Sequence, residues 1–173
     1  MSDRVEAANE ALTGVVLDGL EFARHGRRMR GRIALVSLPR LADVLVSSEG
    51  EITYEVSGEL DREGKPFLVV QLEGEAGLRC QRCLETLVVP LRIVSRLLLV
   101  QPGQQWPDEE LAQDGYDAVE AGREMALLPM IEEEVLLALP IAPMHQSCEP
   151  PVAASDNEAP SPFAVLAKLR KGV

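Results

Sequence analysis

The chain has few aromatic residues to build a core or a binding surface. Of its 173 residues, three are Phe, two are Tyr and one is Trp, so Val, Leu and Ile must form most of the core. Proteins that read single-stranded RNA on a sheet usually stack the bases on several exposed aromatic side chains. The composition therefore argues against base stacking as a mode of recognition.

Signal-peptide and membrane-spanning patterns are also lacking. The N-terminus, MSDRVEAANE, is polar and acidic, without a basic segment followed by an apolar one. No apolar run approaches the roughly 20 residues that are needed to cross a bilayer. We therefore expect a cytoplasmic protein. Because thiols stay reduced in the cytoplasm, a structural disulfide is not the first interpretation of the three cysteines.

Basic residues are scarce and are unevenly distributed. The net charge is -11, and residues 101–160 contain thirteen Asp and Glu but a single base, Arg123. This balance argues against a protein that coats nucleic acid indiscriminately. Two basic groups stand apart, one in the segment RHGRRMRGR and one near the C-terminus, and they are either solvated surface or an RNA contact. The candidate RNA-binding residues are Arg24, Arg27, Arg28, Arg30, Arg32, Lys168, Arg170 and Lys171.

Hydrophobic periodicity predicts an α+β fold, in which a few helices pack on an antiparallel β-meander. Alternation of apolar residues indicates strands at 28–36, 51–60, 67–72 and 87–99, joined by short turns such as DREGK. Helices are predicted at 18–26, with Asp18 as N-cap and Gly26 as its stop, and at about 128–139. Segment 38–46 is either a short helix or an irregular crossover. Pro90 cannot donate a ladder hydrogen bond, which favours an edge position for its strand.

The predicted organisation is a single domain over residues 1–148, followed by a linker and a short helix. Within the domain, the acidic segment at about 101–126 is expected to be a long loop or a partly disordered crossover. Its stretch from Asp108 to Glu124 should be poorly ordered because it has no sustained apolar face to bury. The Pro- and Ala-rich residues 149–160 are expected to be a flexible linker, and residues 161–173 a short basic helix. Because consecutive helical residues point in different directions, Glu132, Glu133 and Glu134 are interpreted as dipole partners and solvent-facing charge.

The motif CQRC at 80–83 places two sulfurs on one turn. An H-x-x-C motif later in the chain would complete four soft ligands for tetrahedral zinc. The predicted ligands are Cys80, Cys83, His145 and Cys148. Two alternatives stay open: His145 and Cys148 are loop residues without a role, or the cysteines are ordinary small residues. A redox pair is disfavoured because thioredoxin-like pairs begin a helix after a parallel strand, whereas this pair lies between antiparallel strands.

Sequence motifs of common enzymes are missing. The chain contains no GxSxG, no GxxxxGK[ST], no GxGxxG and no HExxH. We therefore expect no catalytic residues and no enzymatic activity, with zinc as the one candidate cofactor.

Three separated stretches resemble the signature segments of the YceD family, the large ribosomal RNA subunit accumulation proteins of bacteria and chloroplasts. They are CQRC at 80–83, EEEVLLALPIAPMHQSC at 132–148 and PFAVLAKLRK at 162–171. The resemblance implies a non-enzymatic factor in the synthesis, processing or stability of large-subunit ribosomal RNA. The family's cysteine pair corresponds to Cys80 and Cys83, and its His-to-Cys element to His145 and Cys148. Ser161 departs from the Asn that often precedes the Pro-Phe pair.

Two functions of different class follow from these observations. In the first, the protein is an assembly factor that docks on precursor large-subunit RNA or on an early large-subunit ribosomal protein. It would use the arginine cluster at 24–32, the basic C-terminal helix, or both. In the second, it is a zinc-stabilised adaptor whose acidic segment holds a basic ribosomal protein and never contacts RNA. Neither function involves a membrane or a small-molecule substrate.

Overall fold

The protein is described by a computed structural model, which covers residues 12, 14–106 and 115–151. In chain order the elements are β1 (Val16–Leu17), α1 (Gly19–Arg24), β2 (Arg28–Ala34), a 3-10 helix (Leu35–Ser37), β3 (Glu51–Leu60), β4 (Pro66–Arg79), β5 (Thr86–Val100), β6 (Asp117–Glu120), β7 (Met125–Ala126) and α2 (Leu127–Ala138). The expected linker beyond residue 151 and the expected helix at 161–173 lie outside the described residues.

A five-stranded sheet with the order β2-β3-β4-β5-β6 forms the main layer. Strands β2 to β5 are antiparallel neighbours, so the predicted α+β meander is confirmed. Strand β6 returns beside β5 in parallel, but it pairs only with Leu97–Val100. Strands β1 and β7 form a separate antiparallel pair. No helix in the described ranges is long and apolar enough to cross a membrane.

The core lies on one face of this sheet because apolar residues alternate along each strand. In β3, Ile52, Tyr54 and Val56 are all buried on that face. Helix α1 packs directly on β3 where Gly58 leaves room, since a Cβ there would collide with the backbone of Phe22. Helix α2 covers β5 on the same face.

The predicted N-cap and stop residues of α1 lie at the two ends of the helix. The Asp18 side chain accepts a hydrogen bond from the backbone N–H of Glu21 at 2.9 Å, as an N-cap does. Gly26 follows the helix with a φ of 57°, a left-handed conformation that glycine adopts without strain. Segment 38–46 consists of turns, so it is the irregular crossover rather than a helix.

Pro90 occupies a place where its missing N–H breaks no ladder bond. The carbonyl of Val100 accepts a hydrogen bond from Ala121, just after β6, so the even-numbered residues of β5 direct their backbone groups toward the β6 side. Within the described residues, no strand pairs with β5 on that side before Leu97. Pro90 therefore lies at a free edge, as its chemistry predicts.

The acidic segment is more ordered than the sequence predicts. Instead of a continuous loop over 101–126, it contains β6 and β7. Tyr116 is buried and meets the Phe67 ring edge-on, with ring centroids 5.3 Å apart. Together with Leu98 and Val100 they form a small apolar cluster on the face of the sheet away from the core. Within the acidic segment, only Tyr116 and the partly buried Ala118 contribute to this cluster among the described residues. Two apolar residues are too few to produce a sustained periodicity in the sequence. Residues 107–114 lie outside the described part of the chain.

The glutamates of α2 correct another prediction, because two of the three are not solvent-facing. Glu132 is only 3% exposed and Glu134 only 8%. One carboxylate oxygen of Glu132 accepts hydrogen bonds from the backbone N–H groups of Arg40, at 2.6 Å, and Leu41, at 3.2 Å. Glu133 is exposed, as predicted, and pairs with the Arg40 side chain. Helix α2 therefore holds the 38–46 crossover through a buried carboxylate.

We expect Glu132→Ala to destabilise the fold by about 1–3 kcal/mol, because two backbone donors of the crossover would lose their acceptor. Urea denaturation would measure the change in the free energy of unfolding. The matched control is Glu133→Ala on the same helix, which removes an exposed ion pair and should cost less than about 1 kcal/mol. Equal losses in the two variants would contradict a specific role for Glu132.

Candidate metal centre

The turn between β4 and β5 carries the first half of the site. Two backbone hydrogen bonds close this turn. Cys80 N–H donates to the Glu85 carbonyl at 2.9 Å, and Leu84 N–H donates to the Cys80 carbonyl at 3.0 Å. Leu84 has a φ of 66°, a left-handed conformation that is unusual for leucine. This tight turn places the side chains of Cys80 and Cys83 together.

The second half of the site comes from the segment that follows α2. Helix α2 packs on β5, and the chain then runs to the β4–β5 turn, where the buried Pro143 accepts a hydrogen bond from Gln81 N–H at 2.8 Å. Two residues later, His145 N–H points at the Cys80 sulfur at 3.4 Å. Two backbone N–H groups, one of which meets a ligand sulfur, thus join the two motifs.

The ligand atoms of Cys80, Cys83, His145 and Cys148 all lie within 4.8 Å of one another. The sulfurs of Cys80 and Cys148 are 3.8 Å apart, and the Cys83 sulfur is 3.3 Å from His145 Nδ1. Around a tetrahedral zinc ion, usual bond lengths place two sulfurs about 3.8 Å apart and a sulfur and a nitrogen about 3.5 Å apart. The three cysteines are free, and the four residues could hold a metal ion.

The environment of Cys80 stabilises a thiolate. Hydrogen bonding from the backbone N–H of Cys83 is the largest influence and lowers the pKa of Cys80 to about 5. The N–H groups of His145 and Arg82 act in the same direction, while burial opposes them. Burial, as the largest influence, raises the pKa of Cys148 to about 11. Because metals bind thiolates, the lowered pKa of Cys80 favours coordination, whereas the raised pKa of Cys148 opposes it.

A lowered cysteine pKa is also found in dithiol catalysts, so it does not by itself separate a metal ligand from a redox thiol. The exposure of the sulfur to other molecules distinguishes the two roles better. Cys80 is 0% exposed, so its sulfur is not open to a protein disulfide, and the pair lies in a β-turn rather than at a helix N-terminus. The arrangement suits metal coordination better than thiol–disulfide exchange.

Arg82 is a member of the site that the sequence analysis does not identify. It lies between the two cysteines of CQRC, is half-buried, and donates to the carbonyls of His145 at 3.0 Å and Cys148 at 3.3 Å. The available signal was a basic residue inside the motif itself. That signal does not point to the site because arginine is not among the usual metal ligands.

The candidate RNA-binding arginines lie elsewhere, along the β2 edge of the sheet. Arg28, Arg30 and Arg32 are exposed and alternate with core-facing residues. Arg28 pairs with Glu55 at 3.2 Å, and Arg32 pairs with Glu51 at 3.0 Å, both on neighbouring β3. Arg24 and Arg27, at the end of α1 and just after it, are also exposed. The C-terminal group, Lys168, Arg170 and Lys171, lies outside the described residues.

Comparison with known proteins identifies the family. The family model described as Large ribosomal RNA subunit accumulation protein YceD matches residues 68–170. A Haemophilus influenzae protein with this same name is 26% identical over 169 residues, which is 91% of this chain and 95% of the relative. No solved structure matches the chain. Because the family model covers more than half of the sequence and spans both halves of the metal centre, the chain belongs to the YceD family, as its motifs predicted.

Proposed function

We propose that this protein is a cytoplasmic, non-enzymatic factor in the synthesis, processing or stability of large-subunit ribosomal RNA. The observation that carries the proposal is the family match over residues 68–170, together with a relative named for large ribosomal RNA subunit accumulation. The cluster of sulfurs and imidazole supports a structural role more than a catalytic one. Four protein ligands leave no open coordination position for a substrate.

We further propose that the centre holds zinc and that its ligands are Cys80, Cys83, His145 and Cys148. The support is the donor set of three sulfurs and one imidazole, together with sulfur spacing that matches tetrahedral zinc. The ion would connect the β4–β5 turn to the segment after α2. These two parts are more than sixty residues apart in the chain, so the connection restricts the unfolded chain and stabilises the folded one.

For the contact with RNA we propose the arginines of α1 and β2. The exposed sheet face bears alternating charges, such as Arg32 and Glu51 or Arg96 and Glu59, and its described part offers no aromatic stacking platform. Recognition would then depend on phosphate contacts. Exposed ion pairs contribute little to stability, so phosphate groups can replace Glu51 and Glu55 as arginine partners with little loss of free energy.

Arg24 and Arg27 should contribute most to phosphate binding. Neither side chain forms an ion pair with any residue in the described part of the chain, whereas Arg28 and Arg32 have carboxylate partners that phosphate must displace. Both also lie at the end of α1, where β2 begins, so they extend the arginine row of β2.

The adaptor function remains the second candidate because of the acidic segment. Asp117, Glu120 and Glu124 are exposed around the short strands β6 and β7. In the sequence, residues 108–114, outside the described part of the chain, include four more acids. A basic ribosomal protein would be attracted to this surface. The two candidates differ in whether the purified protein binds RNA at all.

We expect protein purified without chelator to carry about one zinc ion per chain, measured by elemental analysis, since four ligands form one closed site. Cys83→Ser and Cys148→Ser should each lose most of the metal and lower the thermal midpoint. The matched control, Ser147→Ala, changes an exposed residue between two ligands and should keep the metal. Metal-free wild-type protein would rule out this centre.

We expect the wild-type protein to bind a large-subunit precursor RNA with a log–log salt slope of about -3, because four or five phosphate contacts to single-stranded RNA release that number of counterions. The double variant Arg24→Gln/Arg27→Gln should bind more weakly and reduce the slope by about 1.4. Fluorescence anisotropy across a salt series would measure both quantities.

The matched control for RNA binding is Arg62→Gln/Arg92→Gln, which removes the same charge from positions away from the β2 edge and should change the slope little. Equal weakening in both variants would indicate a general charge effect and not a site. No RNA binding by the wild type, with capture of a basic ribosomal protein instead, would favour the adaptor.

We expect cells that lack the protein to accumulate less mature large-subunit ribosomal RNA, with small-subunit RNA nearly unchanged. Replacement of five arginines by glutamine should reproduce much of the defect without unfolding the protein, because all five side chains are exposed. The five are Arg24, Arg27, Arg28, Arg30 and Arg32. Quantification of both RNAs in deletion and complemented strains would test this. Equal loss of both RNAs would contradict the proposed process.

A further inference from the structure

Arg82 connects the two halves of the metal centre without being a ligand. It is anchored in the CQRC turn, and its guanidinium reaches across to the segment that carries the other two ligands. Its two acceptors are the backbone carbonyls of His145 and Cys148, the very residues whose side chains complete the site. A shift of either carbonyl therefore moves a ligand.

The guanidinium group is suited to this geometry. Its nitrogens form a planar fork, and here Nη2 meets the His145 carbonyl at 3.0 Å while Nη1 meets the Cys148 carbonyl at 3.3 Å. An ammonium group on a flexible stem would act as a point charge and would not match two acceptors with one rigid plane. The fork thus holds the H-x-x-C segment in one conformation.

Charge gives a second reason for an arginine at this position. Three thiolates and one imidazole around a divalent ion carry a net charge of about -1, which is costly in a half-buried site. The guanidinium is permanently positive and lies against the segment that provides two of the ligands. Arg82 therefore supplies both orientation and charge balance.

We propose that Arg82 is the positioning residue that assembles the metal centre, by clamping the His145–Cys148 segment onto the CQRC turn. The inference rests on the proposed metal site, and it adds a residue outside the ligand set on which metal affinity depends. Loss of a group that orients a metal ligand typically lowers metal affinity about 10- to 100-fold, because a misplaced ligand loses part of its bond to the ion.

The test compares metal binding by the full-length wild type, Arg82→Met and Arg82→Lys. Zinc affinity is measured by competition with a chromophoric chelator, and the geometry is read from the absorption of the Co²⁺-loaded protein. Arg82→Met should weaken zinc binding about 10- to 100-fold and reduce the intense tetrahedral Co²⁺ bands. Arg82→Lys keeps the charge but not the fork, so its affinity should lie between those of the wild type and Arg82→Met.

Arg79→Met is the matched control, because Arg79 is exposed on β4 just before the turn and its loss removes the same charge. Its zinc affinity should stay within about twofold of wild type, as expected for a residue that orients no ligand. If Arg82→Met matched this control in affinity and Co²⁺ spectrum, the positioning role would be overturned. A stability loss that is equal with and without metal, at unchanged affinity, would overturn it as well.

The outcomes also separate this inference from the proposed metal site. If the wild type binds no zinc, the metal site itself is wrong. If the wild type binds zinc and both Arg82 variants bind it equally tightly, only the role of Arg82 is wrong. Should Arg82→Met fail to fold, Arg82→Lys decides the question, because wild-type affinity in that variant would show that the fork is not needed.

Discussion

The long antiparallel pairing of β4 with β5 is the constraint on which the rest of the structure depends. Its register runs without interruption from Phe67 opposite Leu98 to Arg79 opposite Thr86. This register places the CQRC turn at one end of the hairpin and the Phe67 cluster at the other. It also sets which residues of β5 face the core, and therefore where α2 packs. A slip by one residue would exchange the two faces of the strand and lose both arrangements.

The candidate sites lie at three separate places on this framework. The metal centre lies beyond one end of the hairpin, and the arginine row lies on the β2 edge. The acidic residues lie around β6, at the opposite edge of the sheet, and around β7 of the separate pair. The arginines of β2 face glutamates of β3, so the sheet surface has little net charge where the strands are paired. Arg24 and Arg27, which precede β2, form no such ion pair in the described part of the chain, so their charge is more available to a partner.

Much of the fold could be predicted because the signals were local. Alternation at Ile52, Tyr54 and Val56 required only neighbouring residues, and so did the cap at Asp18. The errors concerned residues whose role depends on distant partners. Glu132 is buried because the 38–46 crossover presents two backbone donors to it, and Tyr116 is buried because Phe67 lies opposite. Nothing near either residue in the sequence indicates that partner.

The sequence by itself determined the class of fold, the family and the four residues able to bind a metal, because periodicity, motif and donor chemistry are properties of short segments. Only the tertiary structure decided that the two motifs meet, since residues more than sixty positions apart approach only when helix α2 packs on β5. It also decided that Arg82 donates to the carbonyls of His145 and Cys148 and that Arg28 and Arg32 have carboxylate neighbours. Hydrogen bonds and ion pairs act over a few ångströms, and such distances between remote residues exist only in the folded chain.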